Sequence, residues 1–322
     1  MPGPAFTSLL RGLLLMTTYA FETQNLTQRF GRKLALDGLT LAIERGGVHA
    51  IVGSNGAGKS TLFRTLLGFQ TPTAGSCRVL GCASEALDPA TRGRIALVHE
   101  EHTLPGWMRL DRLVSLHRAL HVEWSEATYR EVVGHFRLHD EQRVEQLSRG
   151  ERAGLNLALA LAQGPELLLL DEPTLGLDVV AKQAFLEALL FIGQQASRTI
   201  VYCSHQMDEI ERIADNLVVL EQGRLLAMSS PVDFCQRIQS WLVHFGTEPL
   251  DPSTLPGVLT ARPIDEMVQL FVLDQGEDFA EILRGFGAHQ IHSTPVGLDR
   301  AVNAFLTRDH AAPSANGASD HV

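Results

Sequence analysis

Lysine is nearly missing from this chain. Among 322 residues and 27 basic side chains, only Lys33, Lys59 and Lys182 are lysines, so each of the three positions carries weight. Positive charge is short overall: 27 Lys+Arg against 37 Asp+Glu leave a net charge of −10. That balance argues against the broadly basic surface a nucleic-acid-binding protein needs. Cysteine is sparse too. Cys77, Cys82, Cys203 and Cys235 show neither paired metal-ligand spacing nor a dense disulfide framework, which points to a reducing compartment. No run of 18 apolar residues exists, so no transmembrane helix is encoded. The apolar stretch Leu9–Leu15 is short and broken by Arg11, and no small-residue cleavage site follows it. Met16 is the simpler start, and residues 1–18 are expected to be a disordered extension.

What remains is ordinary globular material. The chain is 45% hydrophobic and 20% charged, enough to bury a core and too balanced for a disordered polyelectrolyte. Its length suits about two domains. Strand patterns cover 19–26 and 39–44, then the apolar run Val48–Val52 leads through Gly53 into a helical stretch over 59–67. A short apolar strand covers 95–98, and leucines at helical spacing run from about 110 to 162. Leu167–Leu170 is wholly apolar, as a central parallel strand covered on both faces requires. A helix over 179–195, a strand over 199–203, a helix over 207–214 and a hairpin turning at Gln222-Gly223 complete the pattern. Strands alternating with helices predict an α/β domain over 19–230. Prolines then break up 250–265, and mixed strand and helix patterns to about 308 predict a small α+β appendage over 231–308. Residues 309–322, rich in Ala, Ser, Gly and Asp, read as a disordered tail.

Chemistry concentrates at four places. Gly53-Ser54-Asn55-Gly56-Ala57-Gly58-Lys59-Ser60 fits GxxxxGK[ST], a loop whose glycines let successive backbone N–H groups face phosphate oxygens. Lys59 supplies a point charge for the β- and γ-phosphates, Ser60 a hydroxyl for Mg²⁺, and the helix start a dipole. With so few lysines, the pattern arises by chance in roughly three of a thousand chains of this composition. Asp171-Glu172 closes the apolar strand at its carboxyl end, where ligands bind in parallel sheets. Asp171 suits Mg²⁺ held through water, and Glu172 suits a general base for an attacking water. Ser148 and Glu151 form a capping box, which by itself explains Ser148; with Gly150 in its first turn the same helix end is also an anion site. His205 follows another strand end, where it can contact a terminal phosphate.

Together these pieces resemble the ATP-binding subunit of an ABC transporter, over about residues 19–230. Gly53–Ser60 is similar to Walker A, Leu147-Ser148-Arg149-Gly150-Glu151 to the LSGGQ signature, and Leu167–Glu172 to Walker B with its catalytic glutamate. Leu175-Gly176-Leu177-Asp178 resembles the D-loop and His205 the switch histidine, while Phe30 falls where the family stacks an aromatic on adenine. The text 147–178 and the segment Val122-Glu123-Trp124 resemble most closely the subunits that serve ABC-2 type exporters. The sequence departs from the pattern in Arg149 and Glu151 of the signature, in Phe30 for tyrosine, and in Glu100, which stands where a glutamine is expected after strand 95–98.

The resemblance implies a P-loop NTPase fold of ABC type: a mainly parallel core sheet, an antiparallel β subdomain and a helical signature subdomain. It implies ATP and Mg²⁺ as cofactors. Lys59, Glu172 and His205 take the catalytic roles. Residues 53–60 with Thr61, Phe30, Ser148, Gly150 and Asp178 bind nucleotide, and Ser60, Asp171 and Glu100 hold the metal. It implies a second nucleotide-binding subunit, identical or paralogous, whose Ser148 and Gly150 reach the phosphate held by Lys59. It also implies a separate integral membrane subunit contacted near 99–110, including an exposed Trp107, and a peripheral place on the cytoplasmic face of the membrane. Export is the expected direction. An importer engine, or an ABC ATPase acting on ribosomes or DNA, is the alternative; the single nucleotide domain, the lack of a heptad insertion between Lys59 and Ser148, and the negative charge count against the latter.

Overall fold

The computed structural model describes residues 19–193, 198–245, 251 and 254–308. The stretches expected to be disordered, 1–18 and 309–322, lie outside these residues, as do 194–195 of the expected helix. The chain divides after Ser229 into two compact units.

In the first unit, strands β1 (Tyr19–Phe30) and β2 (Lys33–Glu44) form one long hairpin closed at Gly31-Arg32, with Gly31 at φ 56°. The separate strands expected at 19–26 and 39–44 are the paired half of this ribbon farthest from its turn, with Tyr19 opposite Glu44 and Leu26 opposite Leu39. Four register shifts interrupt its alternation, two of them between Leu26 and Arg29, where the period-2 signal stops short of the turn. Strands β4 (Ala74–Val79) and β5 (Cys82–Ala83), absent from the sequence reading, complete an antiparallel sheet of order β2-β1-β4-β5.

The second sheet is built from β3 (Val48–Val52), β6 (Ile95–His99), β7 (Leu167–Asp171), β8 (Thr199–Cys203), β9 (Asn216–Glu221) and β10 (Arg224–Ser229), in the order β10-β9-β3-β8-β7-β6. All neighbours are parallel except β9 and β10. Successive side chains of a strand point to opposite faces, and β7 shows it directly. Leu167 and Leu169 join a core with α1 (Lys59–Leu66), whereas Leu168 and Leu170 join a core with the helical segment. All four leucines are fully buried.

The expected helical run over 110–162 is three helices: α3 (Leu110–Leu120), α4 (Glu126–Gly134) and α5 (Arg149–Ala162), after the short α2 (Pro89–Gly93). Polar caps make the breaks. Ser125 Oγ accepts from Thr128 N at 3.2 Å, and Ser148 opens α5 in the same way. Helix α6 (Val179–Gly193) follows β7, and α7 (Met207–Ile213) follows β8.

The second unit is α+β. Strands β11 (Ile238–Phe245), β12 (Val258–Ile264), β13 (Met267–Leu273) and β14 (Ala288–Pro295) form an antiparallel sheet of order β12-β13-β11-β14. Helices α8 (Pro231–Gln236), α9 (Phe279–Gly285) and α10 (Leu298–Leu306) accompany it. Trp241 packs edge-on against Phe279 with ring centroids 5.6 Å apart, and Phe234 against Phe305 at 5.3 Å.

Candidate nucleotide site

The site forms where the carboxyl ends of β3 and β7 open between their following loops, as expected for an open parallel sheet. Residues 55–61, Lys33, Ala35, Glu100, Asp171 and Glu172 line one cleft of about 250 Å³. A cavity of about 260 Å³ against the antiparallel sheet, with Glu22, Cys77 and Glu85 in its wall, has no lysine and no glycine loop. Its Cys77 thiol is pushed up to about 11 by burial, so it is a poor nucleophile. Chemistry, rather than size, singles out the first cleft.

Two glycines of the loop leave no room for a side chain. A Cβ on Gly53 would lie 2.1 Å from the Leu220 carbonyl oxygen. One on Gly58, at φ 103°, would lie 2.5 Å from the Ala35 carbonyl oxygen. Gly58 is also the N-cap of α1 and offers no side-chain acceptor, so the first-turn N–H groups are left to face an anion. Lys59 is nearly buried, and its Nζ donates to the carbonyls of Gly53 at 2.8 Å and Ser54 at 3.3 Å. The loop thereby holds its own cation at the wall of the cleft. Ser54 Oγ donates to Glu221 Oε1 at 2.8 Å, tying the loop to β9.

Across the cleft, Asp171 is buried at the end of β7, 4.0 Å from His99 Nε2. Glu172 adopts φ 49°, a left-handed backbone that costs a glutamate about 1 kcal/mol and turns its side chain off the strand line. His205, after β8, donates from Nδ1 to Glu172 Oε2 at 2.8 Å. The pair is joined although the residues lie on different strands. Backbone helps: Glu172 N donates to the Cys203 carbonyl at 2.9 Å.

Glu100 lines the cleft, the place the sequence register gave it, while the neighbouring Glu101 is exposed. His102 turns the other way. It is buried, and its Nε2 donates to the Pro173 carbonyl at 2.9 Å. Burial pushes its pKa down to about 4, against the raising effect of that hydrogen bond and with help from Arg149. Lys33 carried no assigned role in the sequence, and His99 and His102 stood there only within the 99–110 segment expected to meet the membrane subunit. Only Lys33 had a signal there, the rarity of lysine.

Ser148, Gly150 and Asp178 are not in the wall of this cleft. Ser148 and Glu151 form the reciprocal capping box, at 3.2 and 2.7 Å. A Cβ on Gly150 would lie 2.5 Å from Ala181 Cβ, so glycine permits the close approach of α5 to α6. Asp178 accepts from Ala181 N at 2.9 Å at the start of α6. Arg149 lies against Gly176, whose added Cβ would stand 2.7 Å from Nη1. Phe30 is about half exposed at the end of β1.

Residues 36–175 match the family model for ABC transporters. The Nod factor export ATP-binding protein I of Rhizobium sp. (strain N33) is 37% identical over 227 residues, which cover 67% of this chain and 72% of that protein. The chain belongs to the ABC transporter family, as an ATP-binding subunit. It is an ATP hydrolase of that family, and subunits of this kind dimerise and partner with membrane subunits. A protein of the same name from Mesorhizobium japonicum is 34% identical over 226 residues, 67% of this chain and 64% of its own length. The solved ATP-binding subunit of an ABC transporter superposes with a TM-score of 0.61 at 26% identity, covering 67% of this chain and 92% of that one. A bacterial Atm1-family ABC exporter with ATP bound superposes at 0.59 and 26%, over 68% of this chain and 40% of that one. Among the described residues no helix is long and apolar enough to cross a membrane.

Proposed function

We propose that this subunit hydrolyses ATP at a site completed by a second nucleotide-binding chain, and that the work drives export through a separate membrane-spanning subunit. One observation carries the composite site. The cleft gathers the phosphate loop, Glu100, Asp171 and Glu172, whereas the helix end bearing Ser148 and Gly150 lies outside it. A partner chain, identical or paralogous, would bring that helix end, with Asp178, to the open side of the cleft. The direction of transport rests on relatives that are named export proteins; the subunit's place would be the cytoplasmic face of the membrane. Trp107, 69% exposed in the segment after Glu100, offers the membrane partner an apolar contact.

The residues divide the chemistry. Lys59 and the N–H groups opening α1 would bind the β- and γ-phosphates, and the half-exposed Phe30 would stack on the base. Ser60, Asp171 and Glu100 are hard oxygen donors in one cleft and fit Mg²⁺, which would neutralise phosphate charge. Glu172 takes the proton of the attacking water, and His205 holds its carboxylate in place. The test is Glu172→Gln. It removes the base and keeps every phosphate contact, so turnover should fall by about a hundredfold or more while ATP is bound and holds two chains together. Size-exclusion chromatography with and without ATP, beside the hydrolysis rate, reads both. A Glu172→Gln protein that hydrolyses normally, or stays monomeric at saturating ATP, refutes the assignment.

A further inference from the structure

Of the three lysines, two line the nucleotide cleft and the third does not. Lys182, on α6, places Nζ 3.1 Å from Oε1 of Glu209 on α7. Glu209 is fully buried. A carboxylate at that depth persists only when donors replace its lost water. They do: Thr174 Oγ1 lies 2.9 Å from both carboxylate oxygens, Ser204 Oγ donates to Oε2 at 3.2 Å, and the Tyr202 hydroxyl donates to the same oxygen. All four partners are donors, which suits an ionised, acceptor-only group. Thr174, Tyr202 and Ser204 are themselves buried, so this is an internal polar node shielded from solvent.

The places of these residues in the chain give the node its meaning. Thr174 lies two residues after Glu172. Ser204 immediately precedes His205, and Gln206 immediately follows it. Gln206 N donates to Ser204 Oγ at 3.1 Å, its Nε2 reaches Thr174 Oγ1 at 3.4 Å, and its Oε1 accepts from Lys182. The node therefore grips the segments on either side of the Glu172–His205 hydrogen bond. The His205 side chain is half exposed, so its own burial does not fix it, and the mostly buried Glu172 side chain is carried on a left-handed backbone. Their 2.8 Å approach depends on where their segments are held.

We propose that Glu209, balanced by Lys182, is a positioning residue for hydrolysis: it holds the Glu172 and His205 segments in register, so that base and histidine meet. The proposal rests on the reading of Glu172 as the base. The experiment measures ATP hydrolysis and ATP affinity for Glu209→Gln, alone and in the Glu172→Gln background, with the fold of each protein followed by circular dichroism. Glu209→Gln should lower kcat by about tenfold or more, because a small misplacement of a reacting group is costly, and leave KM for ATP within about twofold. In the Glu172→Gln background it should change neither the residual rate nor ATP-dependent dimerisation, since the pair it positions is already disabled. A kcat within about twofold of the parent, where Glu172→Gln alone abolishes turnover, overturns the proposal. So does a loss of ATP affinity parallel to the loss of kcat, or a further loss in the Glu172→Gln background, either of which marks a merely structural role. Turnover retained by Glu172→Gln itself would instead refute the base assignment. Should Glu209→Gln fail to fold, Thr174→Val, which removes one donor and keeps the ion pair, must show the same split of kcat from KM; normal turnover in that variant overturns the proposal equally.

Discussion

His102 makes the stability of the subunit depend on pH. The ring is buried, its Nε2 is held by the Pro173 carbonyl, and burial with the nearby positive charges of Arg149 and Arg152 pushes its pKa from 6.5 to about 4. Below about pH 6.5 the unfolded chain takes up a proton that the folded chain refuses, so the unfolded state gains. The contribution of this histidine is fully present above 6.5 and is lost as the pH falls towards 4. At pH 5 the ordinary ring is almost fully protonated and the folded ring about one tenth so, which costs the fold about 2 kcal/mol relative to pH 8. The perturbation is His102→Gln. Its amide can still donate to the Pro173 carbonyl, and it cannot titrate. The assay is denaturant unfolding of both proteins at pH 8 and pH 5, without nucleotide or Mg²⁺. The wild type should lose about 2 kcal/mol more than the variant between the two pH values. Any fixed cost of glutamine at φ 46° cancels in that comparison. Equal losses in the two proteins, or a directly measured His102 pKa near 6.5, would refute the burial argument.

Three other outcomes follow from the site. Gly58→Ala must place a Cβ 2.5 Å from the Ala35 carbonyl, at a φ that alanine resists, and should cost about 2 kcal/mol in thermal unfolding and weaken ATP binding about tenfold or more. Lys59→Ala and Ser148→Arg chains, each inactive alone, should recover about a quarter of normal hydrolysis when mixed one to one. Half the dimers are then mixed, and each carries one intact composite site; no recovery despite proven mixed dimers counts against a site shared between chains. Glu100→Gln should retain or raise turnover while requiring more Mg²⁺ for half-activation, because a carboxylate binds that ion more strongly than an amide. An unchanged Mg²⁺ curve would remove Glu100 from the metal set.

Chemistry that needs consecutive residues was legible in the sequence. A phosphate cradle is made of neighbouring backbone N–H groups, so residues 53–60 had to be written in one stretch, with glycine where backbone crowds backbone. A strand buried on both faces had to be apolar throughout, which marked Leu167–Leu170 and, at its end, Asp171 and Glu172. The long β1–β2 hairpin was legible only in the half away from its turn, because register shifts between Leu26 and Arg29 interrupt the alternation that signals a strand. Contacts between distant positions left no such mark. His102 meets Pro173 across 71 positions and Thr174 meets Glu209 across 35. His205 and Glu172 meet because β7 and β8 are adjacent in the sheet although a helix separates them in the chain. In each case the sequence supplied side chains able to bond, and only packing chose the partner. A buried polar group takes whichever donor or acceptor the fold brings within about 3 Å, and the order of residues along the chain does not state which one that is.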